Sequence, residues 1–368
     1  MKTIRRLLYA EILSAVGFVT LGFLSLFFFF DLVDELRSIG KGIGGTYQIR
    51  DALLYCALLI PSHLYELLPI AVLIGTIFVM ARLAKSSEYT ILRTSGLGPW
   101  RALRTLLALG LAFVILTLGV GDYISPITDR TAQLLKARFQ GDITVGQTGA
   151  WLKEKQGDHS WAANIAQLRP NGQMRGVRLF EFDQRGFLIS RIDAETASFG
   201  PGDSWMLNNA ERLNFLTRDR DNARVERHKD PSTRWETQIT SEMVSAALLQ
   251  PDRMSTLDLF EYIQHLRANN QTAQRYEIEF WRKVFYPISC LVMVVLALPF
   301  AYLHFRTGGI TAYVFGGVMA GISFFLLNNV FGYIGNLQNW QPWLAAGAPG
   351  FIFTLLSLGA FGWLVLRR

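Results

Sequence analysis

Cysteine is scarce in this sequence, because 368 residues contain only two, Cys56 and Cys290. Both fall in apolar runs, whereas the polar middle of the chain, where a disulfide would brace a water-exposed domain, has none. We therefore expect two buried thiols that pack as small hydrophobic side chains. The five histidines are scattered, with no pair at metal-ligand spacing, so the sequence does not predict a metal site.

A nucleotide-binding loop is missing as well. The nearest approach is Gly40-Lys41, which is followed by Gly42 rather than Ser or Thr and is preceded by Glu35 where the motif requires glycine. The chain is therefore not expected to hydrolyse ATP itself, and no cofactor is expected in it.

One short segment leaves an enzyme alternative open. Gly119-Val120-Gly121-Asp122 resembles half of the site of an intramembrane aspartyl protease. That chemistry requires two carboxylates that share a proton, and the Tyr-Asp pair that usually supplies the second carboxylate does not occur. We interpret Asp122 as a solvated acid at a helix end and keep the protease as an alternative.

Charged residues are few, at 18%, while 51% of the residues are hydrophobic. The mean hydropathy of +0.24 is nevertheless too low for a chain that is apolar throughout, because the apolar residues are concentrated in six runs. About 20 apolar residues cross the hydrocarbon core of a bilayer. Five runs reach that length and the third is marginal. The sequence therefore predicts a helical membrane protein with six transmembrane helices, three plus three. The runs are 7–30, 52–81, 105–121, 284–303, 308–335 and 342–366.

The polar segment between the third and fourth runs is long enough to fold as a domain of its own. Apolar and charged residues alternate along Val177–Asp183, and turn signals occur at Asn171-Gly172, 183–186 and 200–203. Short strands at this spacing predict an inserted all-β domain of jelly-roll type. The expected organisation is transmembrane helices 1–3 in residues 1–124, the β domain with a connecting helix in 125–275, and transmembrane helices 4–6 in 276–368.

The connecting helix is predicted from a change to helical spacing after residue 255. Ser255 is a candidate N-cap, with Asp258 three residues further on. Leu257, Phe260 and Ile263 form its expected apolar stripe.

Basic residues flank the apolar runs and predict the orientation of the chain. They occur in the N-terminus, in the connection at 82–104, after the fourth run and at the C-terminus, which all lie on one side of the membrane if there are six spans. By the positive-inside rule, both termini are cytoplasmic and the polar domain is outside. This distribution accounts for the net charge of +7 without a nucleic-acid partner.

The connection between the second and third runs is predicted to contain a short helix at about 85–97. Ser86 or Ser87 is suited to cap it, Glu88 complements the positive end of its dipole, and Gly96 is suited to end it. Such a helix is either a plain amphipathic connector or a coupling helix that docks on a cytoplasmic motor, with Glu88 as a charged contact.

Cations follow both outward-going spans. Arg37 and Lys41 come after the first run, and Arg130, Lys136 and Arg138 come after the third. Such residues are either solvated interfacial anchors or a basic rim that binds the phosphates of an anionic lipid.

Two ionisable residues, His63 and Glu66, lie inside the second run between Pro61 and Pro69. Because ionisable groups are costly within a membrane, we expect them to face a cavity or a partner.

Four motifs, taken in order, resemble those of the LptF/LptG permease family of the lipopolysaccharide export ABC transporter. They are Phe30–Leu36 after span one, Ser87–Gly96 in the connection, Asp122–Pro126 at the end of span three and Glu279–Pro287 at the start of span four. The resemblance covers essentially the whole chain. The stretch Val33–Leu36 with the Gly-rich loop behind it is more similar to the LptG type than to the LptF type.

This resemblance implies a non-catalytic, multi-pass permease subunit of the bacterial inner membrane whose jelly-roll-like domain is periplasmic. Such a subunit pairs with a homologous LptF-type permease and is driven by a separate cytoplasmic ATPase dimer. It extracts lipopolysaccharide and passes it to a periplasmic bridge of jelly-roll proteins toward the outer membrane. Extraction exposes many methylenes at about 0.8 kcal/mol each, so an energy source on another chain is required. A permease of another lipid or lipoprotein transporter is the main alternative.

The resemblance also carries residue roles. It implies that Glu88, with Arg93, couples the chain to the ATPase. It places Arg37, Lys41 and Lys136 among the basic residues near the phosphates of the substrate. Asp31 departs from the pattern, since some relatives have a lysine at that position.

Overall fold

The computed structural model describes residues 2–40, 47–140, 149–169, 172–217, 223–241, 243–244, 251–302 and 310–366. The chain divides into two compact units. The first comprises Met1–Glu35, Cys56–Asp129 and Glu277–Arg368, and the second comprises Leu36–Tyr55 and Arg130–Tyr276. The β domain belongs to the second unit.

Several helices are joined by short π or 3₁₀ turns. The described helices are α1 (Lys2–Leu36), α2 (Ile49–Lys85), α3 (Glu88–Thr94), α4 (Pro99–Gly119), α5 (Ser125–Gln140), α6 (Thr256–Ala268), α7 (Gln274–Phe285), α8 (Ser289–Ala297), α9 (Ile310–Leu337) and α10 (Pro342–Ala360). A π-helical turn, Val120–Ile124, joins α4 to α5, and a second, Phe361–Leu366, follows α10. Two 3₁₀ turns, Tyr286–Ile288 and Leu298–Tyr302, flank α8.

The six predicted transmembrane helices are confirmed. Within the described residues, the stretches long and apolar enough to cross a bilayer are Ile4–Leu36, Ile49–Lys85, Pro99–Lys136, Gln274–Tyr302, Thr311–Leu337 and Pro342–Trp363. A helix suits a bilayer because it satisfies all its backbone hydrogen bonds internally. Pro61 and Pro69 both lie inside α2, which continues past them.

The third span is longer than its apolar run. The helix continues through Asp122 and the π turn into α5, so the interpretation of Asp122 as a helix end is wrong. Hydropathy falls where charged side chains begin, whereas helical hydrogen bonding depends on the backbone and continues beyond that point.

Close helix packing defines the core of the first unit. A Cβ at Gly75 of α2 would lie 2.8 Å from the backbone of Val16 in α1, so only glycine permits this approach. Cys290 of α8 is buried, and its Sγ lies 3.4 Å from Oγ1 of Thr117 in α4. Cys56 is a buried thiol as well, which confirms the expectation for both cysteines.

The β domain is one antiparallel sheet of six described strands in sequence order, β1 to β6. The all-β prediction is confirmed, and this sequential order differs from the Greek-key order of a two-sheet jelly roll. The order follows from connections that are short in sequence, because each strand returns beside the one before it. The strands are β1 (Ala150–Gln156), β2 (His159–Leu168), β3 (Met174–Phe182), β4 (Leu188–Phe199), β5 (Ser204–Thr217) and β6 (Ala223–Glu236).

Glycines at positive φ close the predicted turns. Gly186 (φ +80°) and Gly202 (φ +72°) lie in the turns predicted at 183–186 and 200–203, which are confirmed. Gly172 (φ +79°) closes the connection between β2 and β3, while Asn171 lies outside the described residues. In the first of these turns, the Asp183 carboxylate accepts hydrogen bonds from the backbone N–H groups of Arg185 and Phe187.

The connecting helix α6 begins with the predicted cap. Ser255 and Asp258 form a reciprocal capping box, in which each side chain accepts a hydrogen bond from the other residue's backbone N–H. The predicted stripe is wrong, since Leu257 and Phe260 are exposed. The buried side chains of α6 are those of Leu259, Tyr262, Ile263 and Leu266.

Candidate functional site

Helix α3 occupies the connection between the second and third spans, as predicted. Its N-cap residue is Ser87, but this residue has a left-handed backbone (φ 59°) and makes no side-chain capping bond, so the predicted hydroxyl cap is wrong. Ser86 instead bonds back to the Arg82 carbonyl. At the C-terminus, Gly96 (φ +100°) and Leu97 donate backbone hydrogen bonds to the Arg93 and Leu92 carbonyls. This is the Schellman arrangement, and it confirms that Gly96 ends the helix.

Helix α3 has one buried side and one exposed side. Tyr89 is buried and Leu92 packs against the core of the first unit, whereas Glu88, Ile91 and Arg93 are exposed. An exposed surface of this composition offers an acid, a base and an apolar side chain to a partner.

The buried side of α3 rests on the end of the fourth span. Tyr89 Oη donates a hydrogen bond of 3.1 Å to Tyr302 Oη, and the two rings meet edge to face with centroids 5.2 Å apart. The Arg93 guanidinium lies over the Tyr302 ring, 5.6 Å from its centre. Burial, and next the neighbouring Tyr302, raise the pKa of Tyr89, so its hydroxyl remains protonated and able to donate.

The predicted basic residues near the outer ends of spans one and three fall in the second unit. Arg37 and Arg130 are exposed. Lys136 is half-buried, with its Nζ 4.7 Å from the centre of the Tyr55 ring. Lys41 lies outside the described residues. An ammonium over an aromatic face keeps its charge while its stem is covered, which suits a cation that meets an amphipathic ligand.

A polar contact between α1 and α2 was not predicted. His63 Nε2 lies 2.7 Å from Asp31 Oδ2, and the His63 ring packs 5.0 Å from that of Phe27. The pairing gives His63 a partner inside the membrane span, while Glu66 is exposed on this chain. The available signal was an acid on one span and a histidine on the next, because two such side chains can form a hydrogen bond.

A second unpredicted cluster joins α2 to α5. The Ser62 hydroxyl donates to Asp129 Oδ1 at 2.7 Å, and the Ser62 and Ser125 hydroxyl oxygens lie 2.6 Å apart. Ser125 and Asp129 are both buried. Buried polar groups in a span need such partners, and this chain of hydrogen bonds supplies them.

Charged residues of α7 form a third cluster within the fourth span. Lys283 is buried and donates a 3.2 Å hydrogen bond to the carbonyl of Gly121 in the π turn. Arg282 donates to Glu279 at 3.1 Å and to Asn329 of α9 at 2.6 Å. The motif at the start of span four therefore supplies polar cross-links between spans. Among the described residues, no group of three or more His, Cys, Asp or Glu side chains is arranged to hold a metal ion.

These features define a class of protein: a six-span helical membrane protein with an inserted antiparallel β domain and a short amphipathic helix between spans two and three. The family model described as "Lipopolysaccharide export system permease LptF/LptG" matches residues 6–367. The chain therefore belongs to the LptF/LptG family, and it is a multi-pass permease of lipopolysaccharide export in the inner membrane.

Individual relatives agree with this assignment. The chain is 28% identical over 369 residues to the lipopolysaccharide export system permease protein LptG of Haemophilus influenzae, covering 100% of this chain and 99% of the relative. It is 26% identical over 339 residues to the LptG permease of Escherichia coli K12, covering 91% and 90% of the two chains. The E. coli O6:H1 protein of the same name gives the same values.

Proposed function

We propose that this chain is the LptG-type half of the membrane part of a lipopolysaccharide exporter. In this proposal it pairs with a homologous LptF-type permease, is driven by a separate cytoplasmic ATPase dimer, and moves lipopolysaccharide from the inner membrane onto a periplasmic bridge of jelly-roll proteins. The observation that carries the proposal is α3, a short helix with one side anchored in the core and the other exposed.

The need for a separate motor rests on energy. Withdrawing acyl chains from a bilayer costs about 0.8 kcal/mol for each methylene, so several chains cost tens of kcal/mol. The sequence has no nucleotide-binding loop, and therefore the work must come from another chain. Glu88 and Arg93 on the exposed side of α3 are the proposed coupling contacts.

Pairing with a second permease is supported by the apolar surfaces of α1 and α9. Large side chains such as Phe18 and Leu21 on α1, and Phe315 and Met319 on α9, are exposed in the single chain. Lipid and a second membrane subunit are the partners that accept such surfaces, and packing of complementary helices makes the second specific.

Substrate binding is proposed for Arg37, Lys41 and Lys136. Arg37, which follows span one, and Lys136, which ends span three, belong to one unit of the structure. Arginine grips a phosphate with two parallel hydrogen bonds, while lysine acts as a mobile point charge. Together they suit the anionic head of an amphipathic lipid.

Purification of the tagged chain from its native membrane tests the proposal. We expect an ATPase and a second, homologous permease to accompany it, and we expect proteoliposomes of that complex to release lipopolysaccharide to an acceptor only with ATP. Recovery of the chain without an ATPase, or ATP-driven movement of a lipoprotein instead of lipopolysaccharide, would contradict it.

A further inference from the structure

Helix α3 contacts Tyr302 through both Tyr89 and Arg93. Tyr89 and Tyr302 are both buried, with exposed fractions of 3% and 6%. Their hydroxyl groups share a hydrogen bond of 3.1 Å, and their rings meet at an angle of 71°. A hydroxyl pair shielded from water is more directional than a contact between apolar side chains, so it fixes the distance between the two elements.

The Tyr89–Tyr302 pair joins two parts of the helical unit that are far apart in sequence. Helix α3 is joined covalently to the second span, which ends at Lys85, and to the third, which begins at Pro99. Any displacement of α3 therefore passes directly to those two spans. Tyr302 closes the fourth span, more than 200 residues away in sequence, in a separate stretch of the first unit. The tyrosine pair links α3 to this second half of the helical unit.

Arg93 extends the same contact to the surface. Its side chain is exposed, yet its guanidinium lies 5.6 Å from the centre of the Tyr302 ring. A partner that engages Arg93 from outside therefore touches a residue that rests on Tyr302. The planar guanidinium stacks on an aromatic ring in a way that the lysine ammonium does not.

We propose that Tyr302 is a positioning residue that transmits the displacement of α3 to the fourth span, through the Tyr89 hydroxyl and the Arg93 guanidinium. This proposal rests on the proposed docking of an ATPase on α3. It adds a route by which one short helix moves spans that precede the inserted β domain in the sequence and a span that follows it.

Removal of single hydroxyl groups tests the route. Complexes carrying Tyr89→Phe, Tyr302→Phe or both are compared with wild type for bound ATPase, ATP hydrolysis and lipopolysaccharide released per ATP. We expect unchanged ATPase binding, because neither tyrosine is on the exposed side of α3. The lipopolysaccharide released per ATP should fall about two- to tenfold, the range for one net hydrogen bond. The double variant should equal either single variant, because all three lose the same bond.

Tyr9→Phe is the matched control. It also removes one hydroxyl that joins two helices, but its hydrogen bond, from Tyr9 Oη to the Thr105 carbonyl at 3.0 Å, joins α1 to α4 and not to α3. The lipopolysaccharide that it releases per ATP should stay at the wild-type value. Arg93→Lys keeps the positive charge but should lower the lipopolysaccharide released per ATP.

A measurement on the wild-type complex does not depend on any variant. Hydrogen exchange of the Leu298–Tyr302 amides should slow when the ATPase binds. Unchanged exchange at these amides overturns the proposal. So does a double variant whose loss of lipopolysaccharide released per ATP is the sum of the two single losses, or a Tyr302→Phe variant that releases as much lipopolysaccharide per ATP as wild type. A wild-type chain that recruits no ATPase refutes the proposed function itself, and that result is visible before any variant is made.

Discussion

A Cβ atom on Gly121 would lie 2.2 Å from Cδ2 of the Tyr65 ring. Real Cβ atoms do not approach another heavy atom so closely, so the π turn and α2 can meet here only because this residue is glycine. The Gly121 carbonyl accepts the hydrogen bond from Lys283, and the Lys283 Nζ also lies 5.9 Å from the centre of the Tyr65 ring. One glycine thus permits three spans to converge around a buried lysine.

Gly121→Ala should destabilise the protein. The added methyl forces the Tyr65 ring or the π turn to move, and overpacking of this kind costs about 1–3 kcal/mol. The measurement is the thermal unfolding midpoint of the chain purified in detergent. Gly119→Ala is the control, because a Cβ there meets nothing within 4 Å. Equal midpoints for the two variants would show that the Tyr65 contact is not a constraint.

Cysteine labelling should locate the two sides of the membrane. The native Cys56 and Cys290 are both buried, so background labelling is low. Asp158, in the turn between β1 and β2, and Thr90 on α3 are both exposed. In intact cells a membrane-impermeant reagent should label Asp158→Cys, and Thr90→Cys should react only after the inner membrane is opened. The reverse pattern would overturn the orientation predicted from the basic residues.

Charge reversal at Glu88 should weaken the ATPase complex. An exposed acid that meets a basic partner contributes modestly to the binding free energy, and replacing it with lysine turns attraction into repulsion. We therefore expect Glu88→Lys to lower the amount of ATPase that co-purifies more than Glu88→Ala does. Asp158→Lys makes the same charge change on the β domain and should leave the complex intact. Wild-type recovery of ATPase and wild-type transport in both Glu88 variants would remove this residue from the interface.

The sequence predicted the elements of this fold better than their contacts. Apolar runs identified six spans, and alternation with turn residues identified strands, because both patterns are local. The pairing of Asp31 with His63 depends on how two helices are rotated about their axes, which no local pattern specifies. The length of the third span was underestimated at Asp122, because hydropathy reports the surroundings of a helix rather than its hydrogen bonding.

Alternation also left open which side of a strand is buried. The pattern along β3 does not say whether Phe180 and Phe182 or Leu179 and Glu181 lie on the buried face, and in the structure it is Leu179 and Glu181. Glu181 Oε1 lies 2.8 Å from His159 Nδ1, and its other oxygen accepts from Ser190 and Arg212. Cross-strand partners make this burial tolerable, and they come from strands whose register is set by the folded sheet.

Acid should loosen α6 through His265. Burial lowers the pKa of this histidine, and the nearby Glu154 opposes that effect only in part. Its buried Nε2 has no hydrogen-bond partner in the described structure, and its ring stacks on Tyr262. A histidine whose pKa is lower folded than unfolded stabilises the fold fully above its ordinary pKa of 6.5, and this contribution is lost as the pH falls below that value.

The measurement is hydrogen exchange of the α6 amides in the intact chain, corrected for the intrinsic pH dependence of exchange. Protection in wild type should fall between pH 7.5 and pH 5.5. His265→Phe keeps a ring against Tyr262 and cannot titrate, so its protection should change less over the same interval. An identical pH response in the two chains would assign the effect to other groups.

The last prediction concerns the basic residues proposed to meet the phosphates of lipopolysaccharide. Arg37 is exposed, and Lys136 is held with its Nζ over the Tyr55 ring. Each exposed ion pair contributes only about 0–1 kcal/mol, so Arg37→Ala, Lys41→Ala and Lys136→Ala should each reduce transport mildly. Combining acidic substitutions at all three positions replaces attraction by repulsion at several phosphates, and transport should be lost while the protein still inserts and assembles.

Photo-crosslinking separates substrate contact from simple anchoring at the membrane surface. A photoreactive residue at position 37, 41 or 136 should crosslink to lipopolysaccharide, and one at the exposed Leu355 of α10, outside the proposed pairing surfaces, provides a control for contact with bulk lipid. Tyr55→Leu removes only the ring beneath Lys136, so the crosslinking yield at position 37 should change little. The same variant should reduce transport less than the triple acidic variant does. If none of the three basic positions crosslinks, and the triple acidic variant still supports growth, these cations are interfacial anchors. Binding of the lipid phosphates must then be assigned to other residues.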